Sequence, residues 1–183
     1  GVVPDEPLIF FKPPSSMISD GQSIVIPNGV GRVDFEGEIA VVIGEACRNI
    51  SAKDSWDVVE GIAPLNDVTA RDLQRTDDQW GRAKGFDTFC PIGEIVSAAT
   101  VDLSDLSVIT RVNGEVRQQG HVSDLVFSIP VLIEYISSIM TLEVGDLIAT
   151  GTPEGVGPLS VGDIVEVEVG EVGSVSNMVV AES

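Results

Sequence analysis

Basic charge is scarce in this chain. Ten Lys and Arg face 29 Asp and Glu across 183 residues, lysine stands only at Lys12, Lys53 and Lys84, and the net charge is −19. A surface of that sign repels nucleic acid and anionic membranes, so neither is a partner. Cysteine occurs twice, at Cys47 and Cys90, too few and too unpatterned for a disulfide framework or a zinc site. Histidine occurs once, at His121, and no serine or cysteine nucleophile has a partnering motif around it. That leaves a hydrolytic triad unsupported, and His121 reads as a surface or turn residue. No apolar run approaches membrane-spanning length, and no charged segment leads into an apolar one as in a signal peptide, which favours the cytoplasm. Hydrophobic residues make up 43% of the chain, enough for one substantial core over residues 1–183 as a single domain.

Apolar patterning gives the elements. Residues 1–30 carry five prolines around Leu8-Ile9-Phe10-Phe11, which suggests one short strand in extended, turning chain. Ile39 to Ile43 is a β-branched apolar run closed by Gly44, a strand signature, and Ile62 to Leu65 is a second. Between them, Ser51 reads as the N-cap of a short helix with Gly61 at its end. Asn113-Gly114 between Val108–Val112 and Glu115–Gln119 predicts a hairpin. A helical period runs from Ser123 to Ile139, interrupted at Pro130. Leu147 to Thr150 and the alternating tail from Ile164 to Val179 add further strands. Strands dominate, so the class is β-rich α+β.

The chemistry begins at Glu36 and Glu38. Residues two apart in a strand point the same way, so this pair sets two carboxylates side by side, and like charges so close require a proton or a cation. Mg2+, Mn2+ and Ca2+ prefer such oxygens. The plain alternative is a solvent-facing strand carrying two ordinary acids. Asp67 follows a predicted strand and is the natural third acid, although an Asx-turn or cap role also suits it. Arg71 and Gln74, three apart, share a face if a helical turn begins near Thr69. The pair then suits a carboxylate and a carbonyl or water, or else Arg71 simply meets a surface acid. Lys84 stands in an otherwise uncharged run, either solvated or beside a metal, where it could stabilise an enolate. Gly151-Thr152-Pro153-Glu154-Gly155-Val156-Gly157 lacks the Lys-Ser/Thr ending of a nucleotide-binding loop, yet its backbone and the Thr152 hydroxyl can still reach a ligand.

Five ordered blocks resemble the fumarylacetoacetate hydrolase family: Phe11-Lys12-Pro13-Pro14-Ser15-Ser16, Phe35-Glu36-Gly37-Glu38, Asn66 to Gln74, Ala83-Lys84-Gly85-Phe86-Asp87 and Thr150 to Gly157. The resemblance covers essentially the whole chain. It implies a mixed β-sandwich roll, usually homodimeric, with Mg2+ or Mn2+ held by Glu36, Glu38 and Asp67, and with Arg71, Gln74, Lys84 and Thr152 lining the pocket. It implies action on small 2-oxo and β-diketo acids, by C–C hydrolysis of the acylpyruvate or fumarylpyruvate type or by decarboxylation of oxaloacetate. A 2-hydroxyhepta-2,4-diene-1,7-dioate isomerase or decarboxylase of aromatic degradation is the alternative. Lys84 and Gln74 would be the catalytic side chains.

Small members of the family carry a His and a Glu on a lid helix just upstream of the part matching residues 1–11, and that part of the pattern is absent from the sequence. The pair is thought to activate water. Decarboxylation and enol–keto isomerisation need no activated water, so both are chemically easier without it. A catalytically silent metal- and oxo-acid-binding module is a reading of another class.

Overall fold

The computed structural model describes residues 4–183. In chain order the strands and helices are β1 (Met17–Ile18), β2 (Ile24–Ile26), β3 (Val33–Phe35), β4 (Gly37–Ile43), β5 (Val59–Asn66), β6 (Thr69–Ala70), α1 (Arg71–Thr76), α2 (Gly81–Lys84), β7 (Cys90–Pro91), β8 (Val96–Ser97), β9 (Ser107–Val112) and β10 (Glu115–His121). They continue with α3 (Ile129–Ile139), β11 (Leu147–Ala149), β12 (Gly157–Pro158), β13 (Ile164–Val169) and β14 (Gly173–Ala181). The sheets follow the orders β10-β9-β13-β14-β2, β11-β4-β5-β8, β12-β3-β6 and β1-β7. Antiparallel pairs dominate, with β14 parallel to β2 and β1 parallel to β7. This is the β-rich α+β roll that the patterning and the resemblance imply. No helix among the described residues is long and apolar enough to cross a membrane.

Period-two alternation in β4 decides where the site lies. Ile39, Val41 and Ile43 point into the main core, against Val167 and Val169 of β13 and Ile129 and Ile133 of α3. Ala40 packs in a smaller cluster with Ala63, Leu65 and Cys90. Glu36 and Glu38 belong to this second side, so the core that buries one set of side chains fixes the direction of the two acids.

Some elements differ from the sequence reading. The chain at Leu8–Phe11 forms no strand; the first strands are β1 and β2. Ser51 precedes a 3-10 helix, Ala52–Val58, but its hydroxyl bonds Asp54 at 2.6 Å instead of capping the backbone. Gly61 does not end that helix but lies inside β5, paired with Ser97 of β8, and the close Val96 carbonyl oxygen, 2.7 Å from where a Cβ would stand, accounts for a glycine there. The helix expected from Ser123 starts at Ile129, and Pro130 occupies its first turn, where the missing N–H costs nothing. The hairpin forms as expected, with Asn113 and Gly114 at φ 53° and 81°.

Candidate active site

Glu36 sits at the break between β3 and β4, Glu38 in β4, and Asp67 just beyond β5. The β4–β5 ladder sets Gly37 opposite Asn66, and the Asp67 N–H donates to the Glu36 carbonyl at 2.8 Å. Register therefore brings the third acid beside the first two. All three are buried, and one oxygen from each lies within 4.8 Å of the others.

Four cations surround this ground. Lys84, only 2% exposed, donates to Glu36 Oε2 at 2.8 Å and to Asp67 Oδ2 at 2.5 Å. Lys12 reaches Asp67 Oδ1 at 2.6 Å. Arg71 bonds Glu36 Oε1, Gln74 Oε1 and, at 2.8 Å, Asp34 Oδ2, while Arg32 grips Asp34 through two nitrogens. The carboxylates of Asp67 and Glu36 outweigh the effect of burial and hold the Lys84 ammonium above the ordinary lysine range.

Glu38 is treated differently. Among the described residues no Lys, Arg or His nitrogen lies within 4 Å of its carboxylate oxygens, and its hydrogen bond is to the Gly151 N–H at 2.7 Å. Burial, then Asp67 and Glu36, push its carboxyl up to about 8. A carboxylate crowded by two others, with one donor, is relieved by a hard cation. The three oxygen donors thus fit a divalent metal ion.

The cluster forms the floor of a cavity of about 420 Å3, with Lys84, Gln74 and Thr152 in the same wall. The rest of the lining is largely apolar, with Phe10, Trp80, Leu125 and Phe127. Phe10 lies 4.9 Å below the Lys84 ammonium and 5.7 Å from the Trp80 ring, which keeps water from the cation's other side. The structure thus brings together Glu36, Glu38, Asp67, Gln74, Lys84 and Thr152. Arg71 lies behind the floor, outside the cavity lining, with its guanidinium engaged by Asp34, Glu36 and Gln74. His121 keeps the turn place read for it, its ring capping the turn at Ser123 and meeting Asp105 at 3.3 Å, and it also joins the cavity lining. Sequence reading did not single out Lys12, Asp34 or Gln118 for the site. Lys12 had a signal in the Phe11-Lys12-Pro13-Pro14 block, and Asp34 in its place beside Phe35-Glu36.

A buried three-carboxylate centre with a flanking lysine, on a mixed β-roll, defines a class of acid-rich, metal-compatible cavities. The fumarylacetoacetate (FAA) hydrolase C-terminal family model matches residues 1–180, and the chain belongs to that family. It is 46% identical to the mitochondrial oxaloacetate tautomerase FAHD1 of Arabidopsis thaliana, over 87% of this chain and 74% of that one. The crystal structure of a 5-carboxymethyl-2-hydroxymuconate delta-isomerase from Mycobacterium smegmatis superposes with a TM-score of 0.95 at 45% identity, covering 100% of this chain and 72% of that one. A maleylpyruvate hydrolase from Sphingobium sp. SYK-6, in complex with manganese (II) ion and pyruvate, has a TM-score of 0.88 at 40% identity, over 95% and 64% of the two chains.

Proposed function

We propose that this chain is a divalent-metal-dependent enzyme of small 2-oxo acids, working as a homodimer, and that its chemistry is enol–keto isomerisation of an oxaloacetate-type substrate. The observation that carries the metal-dependent part is the convergence of Glu36, Glu38 and Asp67 beside Lys84 at a cavity floor. The name of the tautomerase relative makes oxaloacetate the first substrate to try. Glu36, Glu38 and Asp67 would hold Mg2+ or Mn2+. When bound, the ion supplies a Lewis acid that draws electrons from a 2-oxo acid. Lys84 keeps its proton at Nζ and so presents fixed positive charge to an enolate oxygen. Arg71 takes the Gln74 carbonyl oxygen, which leaves the Gln74 NH2 as the donor for substrate. Thr152 Oγ1 donates to the Gly37 carbonyl at 2.9 Å and accepts from Gln118 Nε2 at 2.8 Å, which leaves one lone pair to accept from substrate. Apolar rings at Phe10 and Trp80 limit water around the reacting carbons.

C–C hydrolysis of an acylpyruvate or fumarylpyruvate is a second reading, favoured by the likeness to the maleylpyruvate hydrolase structure holding manganese and pyruvate. Decarboxylation of oxaloacetate and isomerisation of 2-hydroxyhepta-2,4-diene-1,7-dioate develop the same enolate charge. One panel separates these reactions: oxaloacetate enol, oxaloacetate, acetylpyruvate, fumarylpyruvate and the diene-dioate, each with Mg2+ and with Mn2+. Faster loss of the oxaloacetate enol absorbance, without CO2 release, is the expected result. Cleavage of a diketo acid with no effect on the enol moves the assignment to hydrolysis. Metal and oxo-acid binding with no turnover of any compound leaves a non-catalytic binding module.

A further inference from the structure

The β4–β5 pairing alternates, so Gly37 turns its N–H and C=O away from β5, toward the side where β11 runs. The register of β11 sets Ala149 opposite Ala40, and its continuation brings Thr150 to Ile39 and Thr152 opposite Gly37. The ladder ends before it reaches that position. Gly151 takes φ 106° and its N–H goes to the Glu38 carboxylate instead of to the strand. The backbone groups of Gly37, between the two glutamates, are left without a strand partner.

Gln118 of β10 supplies the missing partner. It is 1% exposed, and both ends of its amide are occupied. Its Oε1 accepts from Gly37 N–H at 3.0 Å, and its Nε2 donates to Thr152 Oγ1 and to the Pro153 carbonyl, each at 2.8 Å. Thr152 Oγ1 completes the circuit by donating to the Gly37 carbonyl. One side chain from a distant hairpin thus substitutes for a strand at the point where the two acids emerge, and ties the Gly151–Pro153 segment to them. Close packing leaves this segment little freedom. A Cβ on Gly120 would come within 2.8 Å of Pro153 Cβ, and a Cβ on Gly155 would collide with the Arg117 carbonyl oxygen.

We infer that Gln118 is a positioning residue of the active site, setting the aim of Glu36 and Glu38 through Gly37 and the place of Thr152 and Gly151 through the loop. This inference rests on the metal-site reading above. Gln118 does not line the cavity, so its effect appears first in the affinity for metal.

The test compares wild type with Gln118→Met, which keeps the length of the side chain and removes all three hydrogen bonds. Two controls accompany it: Gln119→Met on the exposed face of the same strand, and Val175→Ala, a core change that leaves all three hydrogen bonds in place and lowers stability by itself. Mn2+ affinity is measured by titration calorimetry, and KM and kcat are measured with the best substrate of the panel. Gln118→Met is expected to weaken Mn2+ binding by about 10–100-fold, the range for losing an outer-shell hydrogen-bond partner, and to raise KM more than it lowers kcat. Both controls are expected to bind Mn2+ as wild type does. Equal Mn2+ affinity in wild type and folded Gln118→Met overturns the inference while leaving the metal site intact. So does a loss matched by Val175→Ala at the same melting temperature, since the effect would then follow stability alone. Should Gln118→Met fail to fold, Gln118→Leu and Thr152→Val break the same circuit, and the same two outcomes are read from them. Absence of Mn2+ binding in wild type overturns the metal-site reading itself, and this inference with it.

Discussion

Lys84 shows how the same side chain can serve both stability and the proposed chemistry. Buried with its ammonium between Glu36 and Asp67, it offsets their repulsion while standing where enolate charge would develop. Lys84→Met leaves both acids buried without it, and the metal-free protein is expected to lose about 3–5 kcal/mol in urea unfolding. Turnover is expected to fall about 100–1,000-fold with metal saturating, because a preorganised charge is gone. Glu38 supplies a pH signature. Its carboxyl titrates at about 8 when folded, against about 4.5 ordinarily, so between those values the metal-free native state holds a proton that the unfolded chain has released. Native stability from this group is therefore complete below pH 4.5 and is lost as pH rises through 8. Calorimetric melting of metal-free protein should show a falling Tm over that window, and Glu38→Gln should flatten the trend.

At the level of elements, what the sequence shows depends on whether the cause is local. The Ile39–Ile43 and Ile62–Leu65 strands and the Asn113-Gly114 hairpin were readable because their signals lie within each segment. The start of α3 was not, because an apolar period continues through Ser123–Phe127 while Pro130 permits a fresh first turn rather than a break. Glu36, Glu38 and Asp67 could be proposed from strand period and position. The grip of Asp34 on Arg71, 37 positions away, and that of Gln118 on Gly37, 81 positions away, exist only after the sheets assemble. Gln118 carried no signal beyond its place in a strand. The loop after β11 offers a test at this scale. Gly155 has φ 100° and no room for a Cβ beside Arg117, so Gly155→Ala is expected to cost about 1–3 kcal/mol by denaturant unfolding, with an accompanying loss of Mn2+ affinity.

For the molecule as a whole, a net charge of −19 means that folding concentrates like charge. Raising salt from about 0.05 to 1 M shortens the screening length from about 14 to 3 Å, and the melting temperature of the metal-free protein should rise. An unchanged or falling Tm would mean that pairs such as Arg111 with Glu166 and Glu168 outweigh the general repulsion. The side chains around the acids come from Lys12, Asp34, Arg71, Lys84, Gln118 and Thr152, scattered through most of the sequence. No single segment carries enough of the centre to assemble it separately. Occupancy by a metal would consequently act as a clasp on the entire fold, and a chelator should accelerate proteolysis at several remote places together instead of loosening one loop.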